Sequence, residues 1–99
     1  MTLSSKQKKN LKGLAHKLKP VASSGQSGVS TPVIKEIKRG LEDHELIKVK
    51  VGYDDRKDLN EKIEQILSGT KAQLVQNMGS IVTLFKASSN PEKTDKITP

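Results

Sequence analysis

The segment that most restricts how this chain can fold is Leu46-Ile47-Lys48-Val49-Lys50-Val51. Ile47, Val49 and Val51 alternate with Lys48 and Lys50, which is the period of a strand with one face buried and the other basic. A strand of this kind needs neighbours to pair with and helices to cover its apolar face. At 99 residues the chain has room for one domain with a single modest core. Only 32% of the residues are hydrophobic, but they are periodic, as in a folded domain and unlike a disordered basic peptide.

The flanking segments supply the covering elements. Ser4 and Gln7 form a capping-box pattern, and Leu11, Leu14, Ala15 and Leu18 follow at helical spacing, so a first helix buries those four. No apolar stripe is then left over for another partner. Pro20 ends this helix and opens a short β-like run, Pro20 to Ser24. A second helix takes Ser30 or Thr31 as N-cap, tolerates Pro32 in its first turn and buries Val33, Ile34, Ile37 and Leu41. Asp54 and Asp55 open a third, with Leu59, Ile63, Ile66 and Leu67 inward and a stop at Ser68-Gly69. Ala72 to Gln76 and Ile81 to Lys86 read as strands joined in a hairpin. The fold class is therefore α/β with the order αβαβαββ. Two strand-helix-strand units imply right-handed crossovers and parallel pairing, and the hairpin adds one antiparallel strand. The expected architecture is a four-stranded mixed sheet with packed helices. Residues 1–87 form the single domain, and the polar, aperiodic stretch 88–99 is expected to be a flexible tail.

Charge is distributed unevenly along this frame. The net charge is +7, yet residues 1–19 contain Lys6, Lys8, Lys9, Lys12, Lys17 and Lys19 with no acid. With His16 these lysines spread over the arc of the first helix opposite its leucines. Lysines in a first turn oppose the helix dipole, so function explains them better than stability does. A solvated, solubilising face is the plain alternative. Behind this segment, Gly25-Gln26-Ser27-Gly28 leads into the second helix. A GxxG loop lets the main chain approach a nucleic-acid backbone closely, with free N–H groups and the helix N-terminus facing phosphates. In a βα turn the same tetrapeptide is often a tight connection only. A localised cationic surface beside such a loop points to RNA, with Lys48 and Lys50 adding charge from the central strand. Tyr53 and Phe85 are the sole Tyr, Phe or Trp residues, so recognition through an aromatic platform is not expected. Phosphate and shape recognition by lysines remains.

Four segments carry a resemblance: Leu3-Ser4-Ser5-Lys6-Gln7-Lys8; Leu11-Lys12-Gly13-Leu14-Ala15-His16-Lys17-Leu18-Lys19-Pro20-Val21; Gly25-Gln26-Ser27-Gly28-Val29-Ser30; and His44-Glu45-Leu46-Ile47-Lys48-Val49-Lys50. In this order they resemble the stand-alone bacterial YhbY proteins, single CRM domains named for chloroplast RNA splicing and ribosome maturation. The resemblance spans roughly residues 2 to 86. It implies a fold similar to the C-terminal domain of translation initiation factor 3, RNA binding, and association with precursors of the large (50S) ribosomal subunit. Two positions depart from the pattern. Phe85-Lys86 stands where a Tyr-Arg pair is usual, losing a hydroxyl and a guanidinium fork, and Ser23 and Ser24 replace apolar residues before the loop.

Other chemistries find little support. The chain has no cysteine, and neither GxxxxGK[ST] nor GxGxxG occurs. The only histidines are His16, on the basic face, and His44, at the end of the second helix, where a capping or dipole role is expected. Asp54, Asp55 and Asp58 suggest Mg²⁺ less than they suggest helix capping. No enzymatic activity, metal or cofactor is expected. No run approaches the roughly 18 apolar residues of a membrane span, and no signal-peptide core precedes Pro20. A monomeric cytoplasmic protein is the expectation. A protein-interaction adaptor on the ribosome and an anionic-surface-binding module are the alternatives.

Overall fold

The computed structural model describes residues 3–25 and 28–87. Gln26, Ser27 and the 88–99 segment lie outside the described residues. The elements are α1 (Ser5–Ala15), β1 (Pro20–Ser24), α2 (Thr31–His44), β2 (Leu46–Val51), α3 (Arg56–Thr70), β3 (Gln73–Met78) and β4 (Ile81–Phe85), in the expected αβαβαββ order.

Local chemistry starts each helix where the sequence places it. The Ser4 hydroxyl accepts from the Gln7 N–H at 3.1 Å while the Gln7 carboxamide accepts from the Ser4 N–H at 2.8 Å, closing the capping box. Ser30 caps α2, and Asp55 caps α3 by accepting from the Asp58 N–H at 2.8 Å. Ends are less local. α1 stops at Ala15, well before Pro20. α3 runs past Ser68-Gly69 to Thr70 and closes on Lys71, which takes the left-handed conformation. Gly69 instead serves close packing, because a Cβ there would stand 3.2 Å from Ile34 Cδ1 on α2.

The four strands lie in the order β1-β2-β4-β3. β1 is parallel to β2, and β4 is antiparallel to both β2 and β3. The returning strand of the hairpin thus inserts between β2 and β3, which run in the same sense without pairing. Insertion places Val82 and Leu84 of β4 opposite Val49 and Ile47, at the centre of the sheet. Both faces of the sheet are used. Ala22, Ile47, Val49, Val51, Val82 and Leu84 form one apolar layer beneath Ile37 and Leu41 of α2 and Leu59, Ile63 and Ile66 of α3. On the other face a smaller cluster joins Leu3, Leu11 and Ala15 to Leu46, Val75 and Phe85. Leu3 is tied down further by its N–H, which donates to Gln73 Oε1 at 2.9 Å.

The first helix corrects one expectation. Leu11 and Ala15 are buried, but Leu14 is 55% and Leu18 40% exposed. Leu18 lies beyond the end of α1, and α1 rests on one end of the sheet only, so half of the apolar stripe is left uncovered by the described residues. With half-exposed Val21 these leucines line a shallow hollow floored by Leu46 and Ile47.

Candidate nucleic-acid interface

The face under α1 is built in three cross-strand rows. Leu46 pairs with Phe85 and Phe85 with Gln73; Lys48 pairs with Thr83 and Thr83 with Gln76; Lys50 pairs with Ile81 and Ile81 with Met78. Side chains two apart on a strand share a face. The first row lies in or beside the α1 cluster, as Leu46 and Phe85 are buried there. The second and third rows lie beyond α1, with Thr83 buried, Lys48 and Gln76 half-buried and Lys50 and Met78 exposed. A bulge between Leu74 and Gln76 sets this pattern on β3, placing Val75 in the α1 cluster and still returning Gln76 and Met78 to the same face.

Along this half of the face runs a groove walled by the last turn of α1. Lys12 and His16 line the helical side, and Lys48, Gln76 and Thr83 the sheet side. Lys48 Nζ donates to the His16 carbonyl at 3.5 Å, which ties the strand's cation to the C-terminal end of the helix. Lys50 is exposed on the next row of the same face. The structure therefore brings together Lys12, His16 and Lys48, with Lys50 adjoining. Among the described residues no acidic side chain lines the groove.

The other sequence-derived candidates are more scattered. Lys6 and Lys9 are exposed and Lys8 half-buried on α1, whose first turn has no acid. Lys17 is exposed just beyond the helix, and Lys19 lines the apolar hollow with Leu14, Leu18 and His44. Lys86 follows β4 with its N–H donating to the Glu45 carbonyl at 2.9 Å, at the first-row end of the sheet. The glycine loop is at the opposite end, since Ser24 pairs with Val51. A six-residue strand at about 3.3 Å per residue separates the two ends.

The two ends of the glycine loop are bonded to each other. Gly28 has φ +127°, a conformation open to glycine, and its N–H donates to the Gly25 carbonyl at 3.4 Å. That donor, expected to be free for phosphate, is engaged within the loop. The buried Ser24 hydroxyl donates to the Gly28 carbonyl at 2.8 Å and approaches the Gly25 carbonyl at 3.3 Å. In α2, Ser30 Oγ accepts from the Val33 N–H, the Ser30 carbonyl accepts from Ile34, and Pro32 has no N–H, so much of the first turn is also satisfied internally.

Asp55 and Asp58 act as capping groups at the start of α3. Asp58 Oδ2 accepts from the Asp54 N–H at 3.0 Å and pairs with the buried Lys62 ammonium at 2.9 Å. The Lys62 hydrogen bond, then the Asp54 N–H, hold the Asp58 carboxyl below its ordinary range. His44 ends α2, and Glu45 is its C-cap with φ +63°. Among the described residues no group of three acids, histidines or cysteines is placed to hold a metal, and no helix is long and apolar enough to cross a membrane.

Sequence reasoning overlooked Gln76, Met78 and Thr83. Thr83 carried a signal, as the polar residue in Ile81-Val82-Thr83-Leu84-Phe85. Gln76 carried none, because the bulge before it breaks the period of two.

Several known proteins have chains similar to this one. A Haemophilus influenzae protein named "RNA-binding protein" is 48% identical over 87 residues, covering 88% of each chain. "Probable RNA-binding protein YqeI" of Bacillus subtilis is 38% identical over 93 residues, covering 94% of this chain and 97% of its own. The solution structure of a hypothetical protein from Staphylococcus aureus superposes with a TM-score of 0.80 at 34% identity, covering 99% of this chain and all of the other. The family model for the CRS1 / YhbY (CRM) domain matches residues 3–86, and the chain belongs to that family.

Proposed function

We infer that this chain is a non-catalytic RNA-binding protein of the cytoplasm, acting as a monomer on ribosomal RNA in precursors of the large ribosomal subunit. The observation that carries the reading is the cationic surface running from α1 onto the sheet beyond it, with Lys9 and Lys12 exposed on the helix, Lys48 and Lys50 on the strand, and no acid among the described residues lining the groove between them. Lysines at such spacing neutralise phosphates without reading bases, so affinity is electrostatic and fit supplies most of the selectivity. The names of the two relatives above support RNA as the partner. The ribosomal target rests on the resemblance to the YhbY proteins.

The test is a salt titration with large-subunit ribosomal RNA, comparing the parent with a Lys8→Gln, Lys9→Gln, Lys12→Gln variant. Each lost phosphate contact lowers the log–log salt slope by roughly 0.7–0.9, so the triple variant should lose about 2 from it while its circular dichroism spectrum stays native. An unchanged slope takes α1 out of the interface. Sedimentation with anionic liposomes at the same salt decides between RNA and a lipid surface; pelleting with liposomes and not with RNA would refute the reading. The exposed Leu14, Leu18 and Val21 favour a second, compatible role, a protein contact made while the lysine face holds RNA.

A further inference from the structure

The groove between α1 and the second and third rows is more than a charged surface. Its volume is about 740 Å³, within the roughly 300–1,000 Å³ of small-ligand sites. Its chemistry changes from rim to floor. Lys12 stands on the helical side and Lys48 faces it from the sheet, while Ile81 and Met78 give the third row an apolar floor on which Met78 is 65% exposed. Between them lie Thr83 and Gln76, cross-strand neighbours whose side chains stand about 5 Å apart.

Thr83 is informative because it is 4% exposed. Its side chain has no hydrogen-bond partner among the described residues, yet no fully buried polar atom there lacks one. The Thr83 hydroxyl is therefore not fully sealed from solvent, and Thr83 lines the groove. Gln76 is half-buried in the same row, and its amide has no hydrogen-bond partner among the described residues. Gln73, one row away, differs, because its amide oxygen is taken by the Leu3 N–H. A buried hydroxyl next to an amide, with cations on one side and a thioether on the other, is a poor match for a bare phosphate or an apolar peptide. It matches a nucleotide, which brings a phosphate, a flat ring and a polar edge together. The His16 imidazole adds a stacking surface at the rim.

We propose that this groove receives one unpaired nucleotide of the bound RNA, with its phosphate between Lys12 and Lys48, its base over Met78 and Ile81, and the base edge on Gln76 and Thr83. The inference rests on the RNA-binding reading and deepens it. It gives base discrimination to a protein whose lysines provide none, since an amide presents a donor and an acceptor side by side to a base edge.

The probe is a set of RNA hairpins of one stem sequence, either fully paired or carrying a single-nucleotide bulge of each of the four bases. Parent protein should bind at least one bulged hairpin about tenfold more tightly than the paired one. Thr83→Val, which keeps shape and strand preference, and Gln76→Ala should each remove most of that advantage while leaving affinity for the paired hairpin and the melting temperature unchanged. A bulge advantage that survives in both variants overturns the proposal, as does a parent that binds all five hairpins equally. In both cases binding to the paired hairpin keeps the RNA reading intact. A parent that binds no hairpin at low salt sinks both.

Discussion

Ser24→Ala tests whether the hydroxyl beneath the glycine loop holds it shut. The side chain is 4% exposed, and its single hydrogen has two acceptors in reach, the Gly28 carbonyl at 2.8 Å and the Gly25 carbonyl at 3.3 Å. The shorter contact is the bond. A neutral hydrogen bond contributes about 0.5–1.5 kcal/mol net, and an acceptor orphaned in the interior costs about 1–3 kcal/mol. Gly28 is only half-buried, so its carbonyl can turn to water and the loss belongs at the lower end, about 1 kcal/mol. Strand pairing is unaffected, because the Gly52 N–H donates to the Ser24 main-chain carbonyl at 2.8 Å. In a chain of this length that loss lowers Tm by about 4–8 °C. With the loop ends released, RNA affinity should fall by no more than about fivefold, the equivalent of the same 1 kcal/mol. The assay is paired thermal and urea unfolding with RNA binding, using Ser23→Ala as control, since Ser23 is exposed one residue away. If the two alanine variants unfold within about 0.3 kcal/mol of each other, the hydroxyl does not organise the loop and the reasoning fails.

Two further outcomes follow from burial and from charge. Leu11→Ala should cost about 2–5 kcal/mol, because Leu11 is fully buried, whereas Leu14→Gln and Leu18→Gln should each stay within about 0.5 kcal/mol in urea unfolding; a large loss at Leu14 would place it in the core after all. Asp58 is held below the ordinary carboxylate range in the folded chain, chiefly by Lys62, so its contribution to stability is fully present above about pH 4 and is lost as pH falls through its lowered value. Asp58→Asn should accordingly flatten the acid limb of stability against pH, and an acid limb as steep as the parent's would refute the pairing.

What the chain determines by itself is whatever depends on neighbours three or four residues away, or on a strict alternation. Ser4 with Gln7, Ser30 and Asp55 start their helices through side chains that reach the next turn, so the caps are legible without a fold. Ile47, Val49 and Val51 reach the core because a strand's period sends them all to one face, and the same period sends Lys48 and Lys50 to the other. The cationic character of the candidate interface was therefore readable, lysine by lysine. Its shape was not. Insertion of β4 between β2 and β3 sets Thr83 beside Lys48, a pairing across 35 residues that no local signal specifies. The bulge at Val75 turns Gln76 into the groove by breaking the alternation from which a strand's faces are read. Leu14 lies on the apolar side of α1 with Leu11, and Leu18 falls beyond the helix end, yet both meet solvent, because periodicity tells which side of a helix is apolar and only the fold tells where the helix stops and how much of that side is covered. Gly69 looked like a helix stop and instead lets α3 approach Ile34, since a glycine's role depends on what stands where its Cβ would be.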